Sequence, residues 1–365
     1  MSRRRTVLFL VIIVFFGMCS RRTAAGEVPQ GRGLKKVVMG YYPAGKRGAY
    51  DHRRIRFEYL THLAHAFTRP DSEGNLVVGE NYLYPELVET AHRNGVKVIM
   101  SVGGWGNCEG FPAMAASAET RNRFISQVLE FLKLHHYDGV DIDWEFVSNT
   151  TEQRDFVLFV KGLSAALKAE SPPLELTMAA PSGPYWGKWI NYKEVIDAFD
   201  FIGVMTYDYH GDWSDHSGHN SPLYSCVGDT CGSWHDSFLY HISRGIPREK
   251  LLLGLAFFGR SFDSPDFYRP FRRSLQYGYD EVEGLLDSGW TMGWDDCAHV
   301  PFLRKRDGNA VLSFDDKRSI ALKCRYVMEN RAAGVIIWEL TQDDSEGEHS
   351  ALLKRVADSF GGAQD

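Results

Sequence analysis

Residues 137–145 read YDGVDIDWE. Alternate residues of an extended chain share a face. Asp141, Asp143 and Glu145 therefore point one way, and Val140, Ile142 and Trp144 the other. Three carboxyls in file on one strand cannot all ionise in a partly dry site, because each negative charge raises the pKa of its neighbour. The expected result is a proton shared by Asp141 and Asp143, and a Glu145 kept protonated as an acid. Cleavage of a glycosidic bond needs such an acid, since the leaving oxygen must receive a proton. The chain holds 47 acidic residues in 365, so an acid count alone is weak. A magnesium site and a solvated acidic patch compete with the hydrolase reading, which the strand setting and the following Trp144-Glu145-Phe146 favour. Asp138, near the strand entrance, reads as a structural hydrogen-bonding residue.

Such a strand needs a frame. Apolar, β-rich runs recur at 37–42, 62–67, 96–102, 139–144, 174–180, 201–207, 251–258 and 334–340. Segments with apolar residues at helical spacing lie between them, at 117–136, 151–170 and 315–334. Strand alternating with helix implies a parallel sheet. Eight such strands point to an α/β fold, a (β/α)8 TIM barrel, in which Glu145 would lie at the C-terminal mouth. A doubly wound open sheet is the alternative, but no GxGxxG follows the first strand. Residues 261–314 lack a single helical period and are too long for an ordinary connection. They read as a small α+β insertion between the seventh strand and helix, so that 36–260 and 315–360 form the barrel.

The chain opens with MSRRR, then the apolar run TVLFLVIIVFFGM, then CSRRTAAG. The pattern is that of a signal peptide. The run falls short of the ~20 residues of a membrane span. We expect a 1–25 leader cleaved near Ala25, a 26–35 linker and a secreted protein. Cys19 leaves a periplasmic or lipid-anchored form open. Export permits disulfides, and the spacing of Cys226 and Cys231 in CVGDTC suits a staple across one loop. No His/Cys pair has zinc-like spacing. His210 and His219 read as satisfied loop histidines, with no metal and no cofactor expected. Asn149-Thr150-Thr151 is a glycosylation sequon. The net charge is −6, with no long basic run in the body of the chain, which argues against nucleic acid as a partner. Nine Trp and 17 Tyr suit either a large aromatic core or rings that stack on sugars.

DGVDIDWE resembles the DxxDxDxE signature of family-18 glycoside hydrolases, the chitinase family. SVGG (101–104), MTYDYHG (205–211), HNSPLY (219–224), GLAFFGRSF (254–262) and GVIIWELTQD (334–343) resemble its other blocks in order, over residues 36–357. The resemblance implies a substrate-assisted retaining mechanism, in which the sugar's own N-acetyl carbonyl attacks the anomeric carbon. It assigns Glu145 as acid and base, Asp143 to the acetamide, and Asp141 to hold Asp143. It implies that Tyr207 binds the acetamide, Asp208 holds the distorted sugar, Met205 shapes the wall and Trp338 forms the floor. Tyr42 and Phe67, ending the first two strands, would line the acetamide pocket, with Tyr41 the rival of Tyr42. Trp105 would stack on an aglycone-side sugar or anchor its loop, and Arg260 fits a substrate-binding arginine. Ser101, Gly103 and Gly104 read as structural. Phe258 departs from the pattern, since many relatives have Tyr there.

The resulting expectation is a monomeric secreted chitinase acting on chitin or N-acetylglucosamine oligosaccharides. An endo-β-N-acetylglucosaminidase on N-glycans is one rival. A chitinase-like lectin is another, although such proteins typically lose the terminal Glu of the motif, which is present here.

Overall fold

The computed structural model describes residues 33–286, 288–344 and 349–361. The expected leader and most of the linker lie outside them. The described residues form fourteen strands: β1 (Val37–Pro43), β2 (His62–Pro70), β3 (Leu76–Val77), β4 (Lys97–Gly103), β5 (Gly139–Asp143), β6 (Glu175–Ala180), β7 (Phe201–Val204), β8 (Leu251–Ala256), β9 (Phe258–Phe262), β10 (Ser274–Gly278), β11 (Trp290–Asp295), β12 (Val300–Lys305), β13 (Val311–Ser313) and β14 (Gly334–Trp338). The helices are α1 (Pro85–Arg93), α2 (Phe111–Ala116), α3 (Ala118–His135), α4 (Thr150–Lys168), α5 (Pro184–Gly187), α6 (Tyr192–Val195), α7 (Trp234–Ser243), α8 (Tyr279–Leu285), α9 (Lys317–Glu329) and α10 (Ala351–Phe360).

Strands β1, β14, β8, β7, β6, β5, β4 and β2 pair in that order, all parallel, and β2 closes on β1. This is the expected (β/α)8 barrel. Both faces of its strands are covered, which explains why runs such as VVMGYY show no polar alternation. One apolar set, including Val38, Tyr42 and Ile142, packs under the helices. The other, including Met39, Tyr41, Ala64 and Ile99, fills the interior.

The long helices follow their sequence signals. In α3, Phe124, Ile125, Val128 and Leu132 form the buried stripe, as 3.6-residue periodicity requires. Ser117 caps its first turn by accepting from the Thr120 amide. In α4 the sequon residue Asn149 is the N-cap, its side chain accepting from the amides of Thr151 and Glu152. A capping box at Asp316 and Ser319 starts α9. Among the described residues no helix is long and apolar enough to cross a membrane.

The second sheet has the order β10-β9-β13-β12-β11, all antiparallel, and carries α8. It begins at Phe258, inside the segment that the sequence reading gave to the barrel. One residue separates β8 from β9, so the chain passes from barrel to small sheet almost without a turn. Arg260 therefore belongs to the small sheet. A buried ion pair, Lys323 Nζ to Asp315 Oδ2 at 2.6 Å, secures the return into α9.

The disulfide also differs from expectation. Cys226 pairs with Cys297, and Cys231 is free. The bond crosses from the loop after β7 to the turn after β11, across 71 residues. A short CVGDTC loop looks sufficient in sequence, but folding brings the distant Cys297 within a Cα–Cα distance of 5.9 Å, inside the range a disulfide spans.

Candidate active site

Strand β5 delivers Asp141 and Asp143 to the barrel interior, 1% and 4% exposed, with Val140 and Ile142 turned to the helices. Asp141 is held on both oxygens. Tyr41 and Ser101 hydroxyls donate to Oδ2, each at 2.8 Å, and Thr177 donates to Oδ1 at 2.7 Å. Burial pushes the Asp141 carboxyl up, and the three donors oppose it. Asp143 has no such support, for its Oδ1 is buried without a partner among the described residues. Burial, then the charges of Glu145 and Asp141, hold its carboxyl far above the usual range. No hydrogen bond joins Asp141 to Asp143 among the described residues, so the expected shared proton has no direct path in this geometry. Asp141's oxygens are taken by hydroxyls instead.

Glu145 follows the strand at the mouth and is partly exposed. Burial first, and then the negative charge of Asp208, push its carboxyl up to about 7, while the Trp105 backbone amide opposes the shift. Cys108 braces the turn, as its Sγ lies 3.3 Å from the carbonyls of Gly104 and Asp143 and accepts from the Glu145 amide at 3.2 Å. Nothing in the sequence marks Cys108 for that place.

Aromatic rings surround the stack. Trp338 stacks on Phe67, with centroids 5.7 Å apart and planes at 21°, and meets the Tyr41 ring at 5.7 Å. Phe67 reaches the interior at a register shift between His65 and Thr68 in β2, which re-aims side chains. Met205 and Trp338 both pack against the interior cluster of Met39, Tyr41 and Ala66 and against Tyr207, Ala256 and Phe258. The Tyr207 ring lies edge-on to Phe258 at 5.8 Å. Its hydroxyl pKa is raised by burial and then by the charges of Asp143, Glu145, Asp208 and Asp141. Gly103 and Gly104 have φ of +110° and +84°. A Cβ would meet the Asp143 carbonyl at 2.1 Å on the first and the Phe67 ring at 2.6 Å on the second, so only glycine fits.

Tyr42 is not part of this pocket. It lies under the helices with its hydroxyl on the Tyr50 carbonyl at 2.6 Å, and Tyr41 takes the interior place. Both faces of β1 are apolar, so its sequence carries no contrast to fix the phase. Asp138 stays outside the site as expected, accepting from the Val98 amide at 2.7 Å and bonding His92 Nε2 at 2.8 Å. His219 is satisfied at both nitrogens, by Ser313 Oγ and Asp295.

Asp208 carries a φ of +58° in the loop after β7. Arg260 donates to its Oδ1 from Nε and Nη2, and the guanidinium also lies 4.8 Å from the Trp213 ring centroid. Trp105 and Trp213 are 76% and 61% exposed, available platforms beside the acids. The sequence reading missed Trp213, whose only signal was its place shortly after MTYDYHG.

A barrel with an acid held near neutrality at its mouth, an unpartnered carboxyl behind it and an aromatic floor defines a glycosidase-type site. The model of glycosyl hydrolases family 18 matches residues 37–343, and the chain belongs to that family of glycoside hydrolases. Chitinase 1 of Aphanocladium album is 28% identical over 317 residues, which cover 77% of this chain and 75% of that protein. The probable endochitinase of Caenorhabditis elegans is 31% identical over 300 residues, 73% of this chain and 48% of that protein. The chain thus spans about half the length of some of its curated relatives and three quarters of others. The Group IV chitinase of Ostrinia furnacalis, solved in complex with allosamidin, superposes with a TM-score of 0.80 at 28% identity, over 88% of this chain and 97% of that one.

Proposed function

We propose that this protein hydrolyses β-1,4 linkages between N-acetylglucosamine units in chitin and chitooligosaccharides, with retention and by substrate assistance. The observation that carries this reading is the unequal treatment of the acids. Asp141 is fully hydrogen-bonded, Asp143 Oδ1 is buried without a donor, and Glu145 is poised at about 7. An orphaned acceptor beside a poised acid suits a substrate that brings its own N–H donor, as an acetamide does.

In this mechanism Glu145 gives its proton to the glycosidic oxygen as the bond to C1 breaks. The acetamide carbonyl oxygen bonds to C1 and forms a cyclic oxazolinium ion. Asp143 accepts from the acetamide N–H and stabilises the positive charge. Water then adds to C1 from the vacated side as the bond from C1 to the acetamide oxygen breaks, which frees the acetamide, and the water loses a proton to Glu145, which restores the acid. Asp141, held by Tyr41, Ser101 and Thr177, acts on Asp143 through its charge, which helps to raise the Asp143 carboxyl. Tyr207 and Asp208 hold the reacting sugar over Trp338. The N-terminal apolar run supports secretion.

The test is product analysis on N-acetyl-chitohexaose beside a high-mannose glycoprotein. Short chitooligosaccharides released as β-anomers are expected. Release of the glycan with an untouched hexamer would move the activity to N-glycans. Binding without cleavage of either would make the protein a lectin.

A further inference from the structure

The loop between β7 and α7 holds a second cluster that the acids do not use. His210 is fully buried. Its Nδ1 lies 2.9 Å from the His219 carbonyl, and its Nε2 has no hydrogen-bond partner. His216 Nδ1 lies 3.0 Å from the Ser217 carbonyl. A carbonyl only accepts, so in each ring Nδ1 carries the hydrogen; the Nε2 lone pair is left over in His210, while His216 Nε2 lies 3.7 Å from Asp215 Oδ1. The two ring centroids are 5.0 Å apart. Cys231 joins them, with one ligand atom from each of the three within 4.8 Å of the others.

Two more polar groups converge here. The Asp229 side chain is 0% exposed, and its Oδ1 lies 3.4 Å from His210 Nε2. Its Oδ2 has no partner, nor has the hydroxyl of Tyr268, whose ring lies 6.3 Å from His210 and 6.2 Å from His216. Buried polar atoms are seldom left unpaired. The unpaired His210 Nε2 and Asp229 Oδ2, beside a second imidazole and a thiol, suit a cation.

We propose that His210, His216 and Cys231 form a structural zinc site, with Asp229, whose Oδ1 lies 3.4 Å from His210 Nε2, turning in as the fourth ligand. Two nitrogens, one sulfur and one oxygen suit a tetrahedral zinc ion, and four protein ligands leave no open position for hydrolysis. The carbonyls of His219 and Ser217 serve as the outer hydrogen-bond partners that metal-binding histidines usually have. Ligand atoms on a zinc ion lie about 3.3–3.8 Å apart. Closing to that spacing requires rotation of His216, Cys231 and Asp229, of which the first two are only half-buried. The ion would fasten the loop that presents Asp208, two residues before His210, and Trp213. It would be separate from the hydrolytic chemistry.

The experiment uses the whole mature chain, free of any histidine tag and purified without chelator. Elemental analysis should find one zinc per chain. After chelator treatment and dialysis, added zinc should raise the melting temperature by several degrees, because the ion binds only the folded chain. Cobalt should give a thiolate charge-transfer band, absent in Cys231→Ser. His216→Ala should weaken zinc binding at least tenfold while keeping the far-ultraviolet circular dichroism. The proposal fails if no zinc is retained and excess zinc leaves the melting temperature unchanged. It fails equally if both variants bind zinc like the parent, or if Cys231 is isolated in a disulfide. None of these readouts needs turnover, so they stand apart from the hydrolase reading.

Discussion

Arg260 donates to Asp208 Oδ1 through Nε at 3.1 Å and Nη2 at 2.5 Å, and so ties the first strand of the small sheet to the loop after β7, 52 residues away. Both bonds fall on one oxygen. Among the described residues no donor is seen on Oδ2.

Replacing Arg260 by Ala should therefore act through Asp208. The guanidinium opposes the burial that raises the Asp208 pKa. Without it, Asp208 takes up a proton at higher pH, and the acid limb of the kcat/KM profile should move up. The Asp208 side chain is 37% exposed, so water screens part of the loss. We expect roughly a tenfold fall in kcat/KM at neutral pH. Steady-state profiles of the variant and its parent provide the check.

Glu145→Gln should lower kcat by about a thousandfold while oligosaccharide binding persists, measured by calorimetry. In the parent, the acid must hold its proton, so kcat/KM should fall as pH rises above about 7. The same shift bears on stability. The folded pKa of about 7 lies above the ordinary value of 4.5, so the folded chain binds this proton more tightly than the unfolded one. That stabilising contribution is complete below pH 4.5 and is lost as pH rises to 7. Gln has no such loss. The variant should melt a few degrees above its parent at pH 8, and the gap should close near pH 4.5.

Tyr41→Phe and Tyr42→Phe separate the two faces of β1. Both lose a buried hydrogen bond, worth about 1 kcal/mol of stability. Only the first removes a donor from Asp141, whose pKa should then rise further. Tyr41→Phe should cut kcat about tenfold, and Tyr42→Phe should leave it unchanged. Parallel denaturant melts and rate measurements distinguish the two, and equal rates would contradict the interior place of Tyr41.

Non-reducing peptide mapping should find Cys226 joined to Cys297. Loss of the bond in Cys226→Ser/Cys297→Ser frees a 71-residue separation in the unfolded chain, a cost of up to about 4 kcal/mol by the loop-entropy estimate. A Cys226–Cys231 peptide would overturn the pairing.

The amino-acid sequence by itself determined the local periods. It set eight apolar runs that became barrel strands, the helical stripes of α3, α4 and α9, and the two-residue spacing that puts Asp141 and Asp143 on one face. These depend on neighbours along the chain. The tertiary structure alone decided which tyrosine of β1 turns inward, because a two-residue alternation has no visible phase when both faces are buried. It decided that Cys226 meets Cys297, because pairing follows distance in space. It also brought Tyr41, Ser101 and Thr177 onto Asp141, Asp208 under Arg260, and His210 beside Cys231. All but the last join separate strands or loops, which only closure of the barrel and docking of the small sheet bring together; His210 and Cys231 share one loop that folds back on itself.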